Sequence, residues 1–442
     1  MKKYDNYKDS GIEWLGEIPS NWKVTKLKFI GDAIGGLTYS PNDVVENESE
    51  GKLVLRSSNI QDGKLSLKDN VYVNLDISEK LTLKKGDILI CSRNGSQHLI
   101  GKNICIDERT EGNTFGAFMM IFRSKYFSFL NHFFNSPIFT SQSGLFLTAT
   151  INQLTSSTLN NFYIAIPDSI SEQTAIANYL DHKTTQIDTL IAKKEQFISL
   201  LQEERTAVIN QAVTKGLDPN VPMKDSGIEW LGEIPEHWEV KRMKYVIKTP
   251  LKYGANGSAE DEILEDPRYI RITDFGNDGK LRKNTFKSLS LDKAENFLLE
   301  EGDILFARSG ATVGKTFFFK DYKGVACFAG YLIKASCDPM IMKSEFLYEF
   351  TNSSGYENWK QSIFQQSTIQ NIGADKYNQL KIGVPPIAEQ QKIIDFITSK
   401  INEIDTLISK SQQEIELLKE YKTALISEVV TGKVDVRDVI LN

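Results

Sequence analysis

The chain has 442 residues, of which 40% are hydrophobic, 10% aromatic and 25% charged. This composition is ordinary for a globular protein and excludes a disordered, collagen-like or mucin-like chain, and the length predicts two to four domains. The four scattered cysteines and four histidines favour a reducing cytoplasm and indicate neither a disulfide framework nor a metal site. Because the longest apolar run is eight residues and the N-terminus lacks an apolar core, we expect no membrane helix and no signal peptide.

The net charge of −6 argues at first sight against a nucleic-acid partner. The charge is unevenly distributed, however: residues 20–165 hold 15 basic and 13 acidic residues, and residues 237–383 hold 21 and 19. Each block therefore carries +2, which leaves −10 for the connecting segments. A DNA-binding protein with this balance needs local basic clusters or a basic partner.

An internal repeat divides the chain into two halves. The twelve residues KDSGIEWLGEIP occur at 8–19 and again at 224–235, and we call these segments the heads. Near the end of each half, residues 172–218 and 389–435 share 21 identities in 47 positions. The blocks between are divergent but share GDIL, an arginine shortly after it, and a later Gly-Lys. Each half thus has a common head, a divergent middle and a common tail.

The tails predict two long helices. Apolar residues recur in steps of three and four, without Pro or Gly, from Glu172 to about Val213, and the second tail repeats the pattern up to Gly432. Ser169 and Glu172 have the spacing of a capping box at the N-terminus of the first helix, and Gly216 is the type of residue that ends a helix. Each rod is roughly 60 Å long. Such a helix needs a partner, and we expect the two tails to pair as a coiled coil, the alternative being two helices that pack separately on their own blocks. The predicted seam comprises Ile187, Leu190, Ile198, Leu201, Ile404, Leu407, Ile415 and Leu418.

The divergent middles predict mixed α/β domains, each with enough residues for a core of its own. Helical stretches are expected at 125–135 and 343–352. Short β-rich runs separated by turn residues predict strands within 52–57, 86–92, 161–167, 268–273 and 315–320.

Catalytic motifs are incomplete in this sequence. The segment from Ser309 to Thr316 is one residue away from a phosphate-binding P-loop, but Ser309 replaces the first glycine and a β-like run follows Lys315, where a P-loop requires a helix. Pro385-Pro386 lacks the flanking residues of a base-binding methyltransferase motif. We therefore expect no catalysis by this chain.

The repeated motifs resemble a known family. The head DSGIEWLGEIP-x-x-W occurs twice, and the junctions IPDSISEQ (166–173) and VPPIAEQ (384–390) are each followed by IDTLI. This combination is similar to the specificity subunit of type I restriction–modification enzymes. The resemblance implies a non-catalytic subunit that binds double-stranded DNA, with two methyltransferase subunits and separate motor-nuclease subunits as partners. S-adenosylmethionine, ATP and Mg are then expected on the partners and no cofactor in this chain.

The fold class expected from the repeat and the resemblance is α+β. Two mixed α/β target-recognition domains are separated by two long helices that form an antiparallel coiled coil, with an internal pseudo-twofold repeat. Each domain would read one half of an asymmetric bipartite target, and the helix length sets a ceiling of roughly 18 base pairs between domain centres. The expected segments are a head at 1–19, a recognition domain at 20–168, a helix at 169–216, a linker and head at 217–236, a recognition domain at 237–386, a helix at 387–432 and a tail at 433–442.

Polar loops after GDIL and after the first long strands are the candidate DNA-binding sites, because Arg, Asn and Gln suit base edges. The alternative is that these are solvated turns whose arginines pair with nearby carboxylates. We expect core packing for the four repeated tryptophans, Trp14, Trp22, Trp230 and Trp238. The competing function for the whole chain is a scaffold that binds only protein. The candidate DNA-binding residues are Arg56, Ser57, Asn59, Arg93, Asn94, Ser96, Gln97, Lys102, Asn152, Gln153, Arg271, Thr273, Arg308, Ser309, Thr312, Lys315, Gln365 and Gln366.

Overall fold

The computed structural model describes residues 2–61, 63–145, 153–258, 262–276, 281–310, 312–364 and 371–441. The chain forms two compact units, one of residues 1–194 and 412–442 and the other of residues 195–411. Among the described residues, none of the helices combines the length and apolar character needed to cross a bilayer.

The described residues of the first unit contain fourteen short strands, three short helices and parts of the two long helices. The helices are α1 (Phe127–Phe134), α2 (Pro137–Leu145), α3 (Ser156–Asn160) and the first part of α4 (Ile170–Lys215). The strands are β1 (Tyr7–Asp9), β2 (Glu17–Pro19), β3 (Trp22–Lys26), β4 (Asp32–Gly35), β5 (Val44–Val45), β6 (Lys52–Leu55), β7 (Ile60–Gln61), β8 (Lys64–Leu65), β9 (Tyr72–Val73), β10 (Ile88–Cys91), β11 (Asn103–Cys105), β12 (Thr114–Phe115), β13 (Met119–Arg123) and β14 (Tyr163–Pro167).

The second unit repeats this plan. Its strands are β15 (Met223–Asp225), β16 (Glu233–Pro235), β17 (Glu239–Arg242), β18 (Lys252–Tyr253), β19 (Arg268–Ile270), β20 (Ile304–Ala307), β21 (Thr316–Phe318), β22 (Ala326–Phe328), β23 (Leu332–Ala335) and β24 (Lys381–Val384). Its helices are α5 (Leu291–Ala294), α6 (Ser344–Phe350), α7 (Ser354–Phe364), α8 (Ala374–Gln379) and α9 (Ile387–Val430), the last of which continues into the first unit. The predicted strands and helices are confirmed.

The two divergent middles share one sheet topology. The four-stranded sheets run β11-β10-β13-β4 in the first unit and β18-β23-β20-β21 in the second, all antiparallel. The strands of the GDIL motif, β10 and β20, are buried at every position. One parallel pair accompanies each sheet, β6 with β12 and β19 with β22. A fold repeat is therefore present where the sequence similarity has almost disappeared.

The glycine and aspartate of GDIL have structural roles. Gly86 and Gly302 both have φ of 90°, a conformation that favours glycine. Asp87 is 2% exposed and pairs with Arg123 at 2.7 Å, and the equivalent Asp303 pairs with Lys334 at 3.2 Å. The ion pair with Asp87 raises the pKa of Arg123. A buried charge requires such a partner, which explains why this motif is common to both halves.

The long helices pair antiparallel in the first unit. Lys422 of α9 contacts Asp188 of α4 at 2.7 Å, and Glu414 of α9 contacts Lys194 of α4, so the chain directions are opposed. Their apolar side chains share one cluster, with Ile187 from α4 and Leu425 from α9.

The second unit contains the equivalent pairing. Arg205 of α4 lies 3.5 Å from Asp405 of α9, and Val213 shares a cluster with Ile393. Asp405 and Arg205 occupy the repeat positions of Asp188 and Lys422, so the same acidic residue of IDTLI pairs with a basic residue of the other helix in both units. The pairing follows the internal pseudo-twofold repeat of the chain.

The seam differs from the prediction at two positions. Leu190 and Leu407 are 43% and 39% exposed, while the neighbouring Ile191 and Ile408 are partly buried. The buried and partly buried positions recur every 3.5 residues on average, as in a coiled coil. This repeat places Ile191 and Ile408 in the seam, rather than Leu190 and Leu407. The other six positions face inward as predicted, namely Ile187, Ile198, Leu201, Ile404, Ile415 and Leu418.

A tryptophan shortly after each head, at the start of β3 or directly before β17, hydrogen-bonds to the first turn of the long helix that ends the same half. Trp22 is fully buried and donates its Nε1–H to Oε1 of Glu172 at 2.8 Å, and Trp238 makes the same bond to Glu389 at 3.1 Å. Glu172 is therefore not the reciprocal half of a capping box, although Ser169 Oγ does accept from its backbone N–H at 3.4 Å. Core packing is confirmed for Trp22 and Trp238, but Trp14 is 42% exposed.

Replacing Glu172 by alanine should lower the free energy of unfolding by about 1–3 kcal/mol, because the buried indole N–H of Trp22 loses its acceptor. Asn21, which donates to the other carboxylate oxygen at 2.9 Å, loses a partner too. Urea unfolding of the full chain measures the change. Asp168→Ala is the control, since its pair with Lys23 is solvent-exposed and should contribute less than about 1 kcal/mol. Equal losses in the two variants would contradict this role for Glu172.

Candidate nucleic-acid interface

Three predicted segments meet in the first unit. The loop after β10 contacts the turn after β6, because Asn94 Nδ2 lies 3.4 Å from Ser57 Oγ and Lys102 Nζ lies 3.4 Å from the Ser57 carbonyl oxygen. Gln153 forms an isolated β-bridge with Arg93. Ser96 and Gln97 are exposed on the same loop. The structure thus assembles one polar surface from segments that are far apart in sequence.

Two members of the candidate set in this unit are tied to internal contacts. Asn59 is fully buried, accepts the backbone N–H of Arg56 at 2.9 Å and donates to the Ser66 carbonyl at 2.9 Å. Arg56 pairs with Asp69 at 2.9 Å. Asn152, Gln365 and Gln366 lie outside the described residues.

The turn after β19 in the second unit is built in the same way. Asp274 is fully buried and accepts the backbone N–H of Arg271 at 2.6 Å, as Asn59 does for Arg56. It also binds the guanidinium at 2.9 Å, which raises the pKa of Arg271. Thr273 is exposed at the tip of this turn. Arg56 and Arg271 therefore pair with nearby carboxylates, as in the alternative to DNA binding given above.

Arg93 and Arg308 differ from Arg56 and Arg271 in the contacts of their guanidinium groups. In the described part of the chain, neither guanidinium has a carboxylate partner, and each lies over an aromatic ring: Arg93 is 5.5 Å from the centre of Phe118, and Arg308 is 4.8 Å from that of Tyr253. Each is therefore a cation held in place without being neutralised, which is the state that suits contact with a phosphate or a guanine edge.

The two arginines are not equivalent in the fold. The carbonyl of Ser92 accepts from Leu154 N at 2.8 Å, and the carbonyl of Arg308 accepts from Ile372 N at 2.9 Å. Ser92 therefore corresponds to Arg308, and Arg93 corresponds to Ser309, which bridges Asn371. The sequence prediction that matched the two arginines is shifted by one residue. Since successive residues of an extended chain face opposite sides, Arg93 and Arg308 present their charges differently.

The later Gly-Lys of each loop is equivalent. Gly101 and Gly314 have φ of 85° and 80° and donate to the last residue of β10 and β20, Cys91 and Ala307. Thr312 closes the turn before Lys315, which is exposed. Strand β21 begins directly after it, at Thr316, so the P-loop-like segment does not open a helix. Within the described ranges, no group of His, Cys, Asp and Glu is arranged to hold a metal ion.

Sequence reasoning missed two exposed aromatic residues at this surface, Phe118 and Tyr331, which are 60% and 68% exposed. They end the segments FGAF (115–118) and FAGY (328–331), an aromatic–small–small–aromatic pattern present once in each middle. That pattern is the signal that could have found them.

Two mixed α/β domains, each with a polar loop that carries an arginine without a carboxylate partner in the described part of the chain, are the arrangement expected of a modular DNA-recognition protein. The family model described as the type I restriction modification DNA specificity domain matches residues 19–199 and 235–417. The chain belongs to this family and contains its domain twice.

Individual relatives cover almost the whole chain. The StySPI specificity subunit of Salmonella potsdam is 26% identical over 95% of this chain and 90% of its own length, and the EcoKI specificity subunit of Escherichia coli K12 is 24% identical over the same shares. A solved structure from a study of type I R-M complex assembly matches with a TM-score of 0.73 over 94% of this chain and 99% of that chain, at 14% identity. The HsdS subunit of Thermoanaerobacter tengcongensis matches at 0.57 over 94% and 98%, also at 14%. Both structures share the fold.

Proposed function

We propose that this chain is the non-catalytic, sequence-reading subunit of a type I restriction–modification complex in the cytoplasm, and that each unit reads one half of an asymmetric bipartite DNA target. The observation that carries this proposal is the duplicated loop surface. The bridge that joins Arg93 to Gln153 in one unit is matched in the other by the bridge from Ser309 to Asn371, with Arg308 one residue before it. Because base edges are distinguished by side-chain identity, two differently equipped surfaces read two different half-sites.

The repeated parts of the chain suit a partner present in two copies. The heads and helices α4 and α9, which we call the shared frame, repeat the Trp–Glu bond and the Asp–basic pair of IDTLI in both units. We assign this frame to the docking of two methyltransferase subunits and the helix length to the spacer of the target. Motor-nuclease subunits, S-adenosylmethionine, ATP and Mg belong to the rest of the complex. The alternative function is a protein-binding scaffold that does not read DNA, and the experiment below distinguishes the two.

Mapping N6-methyladenine in the source genome, with and without this gene, tests the proposal. We expect one bipartite motif with two unlike halves and a fixed spacer, and its loss on deletion. The chain purified with its methyltransferase subunits should bind a duplex carrying that motif more tightly than unrelated DNA. A genome in which deletion alters no methylated motif, or a complex without DNA preference, would support the scaffold instead.

Arg93→Ala should weaken binding to the mapped duplex by about 1–3 kcal/mol and relax specificity in one half-site only, if Arg93 contacts a base. Competition binding against duplexes substituted in each half measures this. Arg109→Ala is the matched control, because Arg109 is exposed and already paired with Asp107 two residues away. A uniform loss on all DNA with a smaller salt slope would assign Arg93 to a phosphate.

A further inference from the structure

Two aromatic side chains project from equivalent turns of the two units. In the first, Met119 N–H donates to the Gly116 carbonyl at 2.8 Å, and in the second, Leu332 N–H donates to the Ala329 carbonyl at 2.8 Å. Phe118 and Tyr331 occupy the third position of these turns and are 60% and 68% exposed. The same exposed position is thus aromatic in two domains whose sequences have otherwise diverged.

The backbone that carries each ring is fixed. The Phe118 carbonyl accepts hydrogen bonds from Ser92 N at 3.0 Å, Ser92 Oγ at 2.9 Å and Arg93 N at 3.1 Å, and the Tyr331 carbonyl accepts from Arg308 N at 3.0 Å. The residue that carries each ring is therefore hydrogen-bonded, through its backbone carbonyl, to the first residues of the loop with the candidate DNA-binding side chains.

A glycine packs against each of these turns from the neighbouring strand segment. A Cβ atom on Gly36 would lie 2.2 Å from the carbonyl oxygen of Gly116, and one on Gly254 would lie 2.3 Å from that of Ala329. Only glycine permits this approach, so both turns are held from two sides. A single exposed ring is ordinary on a protein surface, but an exposed ring at the same rigid position of two otherwise divergent domains is not required for folding, and a ligand common to both domains explains it.

We propose that Phe118 and Tyr331 are wedges that stack on a base at an opened base step, one in each half-site. Apolar side chains inserted at a base step replace part of the lost stacking, and an adenine must leave the helix before its N6 can be methylated by a partner enzyme. The Arg93 guanidinium beside Phe118 adds a cation where the ring would meet the duplex. This inference rests on the proposed DNA-reading function.

The surroundings favour DNA over a protein partner. Both rings lie outside the shared frame, among loop residues that differ between the units: Phe118 beside Ser92 and Arg93, and Tyr331 beside Arg308. A partner bound in two identical copies requires two like surfaces, whereas every duplex presents base faces that accept either ring.

Phe118→Ala and Phe118→Trp in the complex with the methyltransferase subunits test the proposal on the mapped duplex. We expect the alanine variant to lose about 10- to 100-fold in affinity and the tryptophan variant to bind nearly as the wild type, because stacking needs a ring but not a particular one. The loss should shrink on a duplex with an abasic position in the first unit's half-site, where no base has to be unstacked. Tyr331→Ala should behave likewise with the other half-site.

Phe29→Ala is the matched control, because Phe29 is an exposed aromatic residue of the same unit, 72% accessible, that lies outside these loops. It should leave affinity unchanged. The wedge is wrong if Phe118→Ala binds as tightly as the wild type, if it weakens motif and unrelated DNA equally, or if the folded variant instead fails to assemble with the methyltransferase subunits. A wild-type complex that does not prefer the mapped duplex would overturn the proposed function itself.

Discussion

An aspartate in place of Ile187 is expected to lower the free energy of unfolding by at least about 3 kcal/mol and to prevent assembly of the complex. Ile187 is 7% exposed and shares an apolar cluster with Leu425, Ile426 and Val429 of α9. Removing a buried isoleucine side chain costs about 2–5 kcal/mol, and a carboxylate without a partner adds a desolvation cost. The neighbouring Asp188, already paired with Lys422, adds repulsion. Urea unfolding of the full chain and co-purification with the methyltransferase subunits measure the two effects.

Leu190→Asp is the matched control, because it introduces the same charge in the same IDTLI motif, three residues away, at a side chain that is 43% exposed. Its effect on the free energy of unfolding should stay within about 0.5 kcal/mol. If the two substitutions destabilise the chain equally, the assignment of the seam is wrong. If Leu190→Asp leaves the chain stable but blocks assembly, the exposed side of α4 is a docking surface of the shared frame.

Exchange of one recognition domain should change one half of the methylated motif and leave the other half and the spacer as they were. Base contacts are local to one domain, whereas the spacer depends on helix length and pairing. Because each mismatched base pair costs about 1–3 kcal/mol, a half-site of several pairs should change completely. Sequencing of N6-methyladenine in cells carrying the hybrid is the measurement.

The structure moves the exchange boundaries inward from the sequence-based block of residues 20–165. Strands β3 and β14 pair along their length, from Trp22 with Pro167 to Lys26 with Tyr163. A cut at residue 165 would divide this sheet, so residues 27–162 should be replaced and both strands kept. The reciprocal exchange of residues 243–380, between β17 and β24, should change only the other half of the motif. A hybrid in which both halves change, or in which the spacer shifts, would contradict independent reading.

Polar residues within the helix pairing give it direction and alignment. Asp188 with Lys422 and Asp405 with Arg205 form only when the helices are antiparallel and in this register. Single exposed pairs of this kind contribute little stability, but a wrong alignment leaves partly buried charges without partners. These four residues therefore specify which arrangement forms more than they determine how stable it is.

The sequence alone determined the two long helices, the strands of both middles and the repeat that assigns the chain to its family. These features are local or periodic: a stripe of apolar residues defines a helix, and an identical head or tail is visible without any structure. Only the tertiary structure decided which of two adjacent apolar residues enters the seam, because Leu190 and Ile191 satisfy the same spacing and the partner helix selects between them. The one-residue shift between Arg93 and Arg308 likewise depends on hydrogen bonds to segments far away in the chain, Leu154 and Ile372. The repeated FGAF and FAGY segments mark Phe118 and Tyr331 in the sequence, but only the structure shows that these rings are exposed.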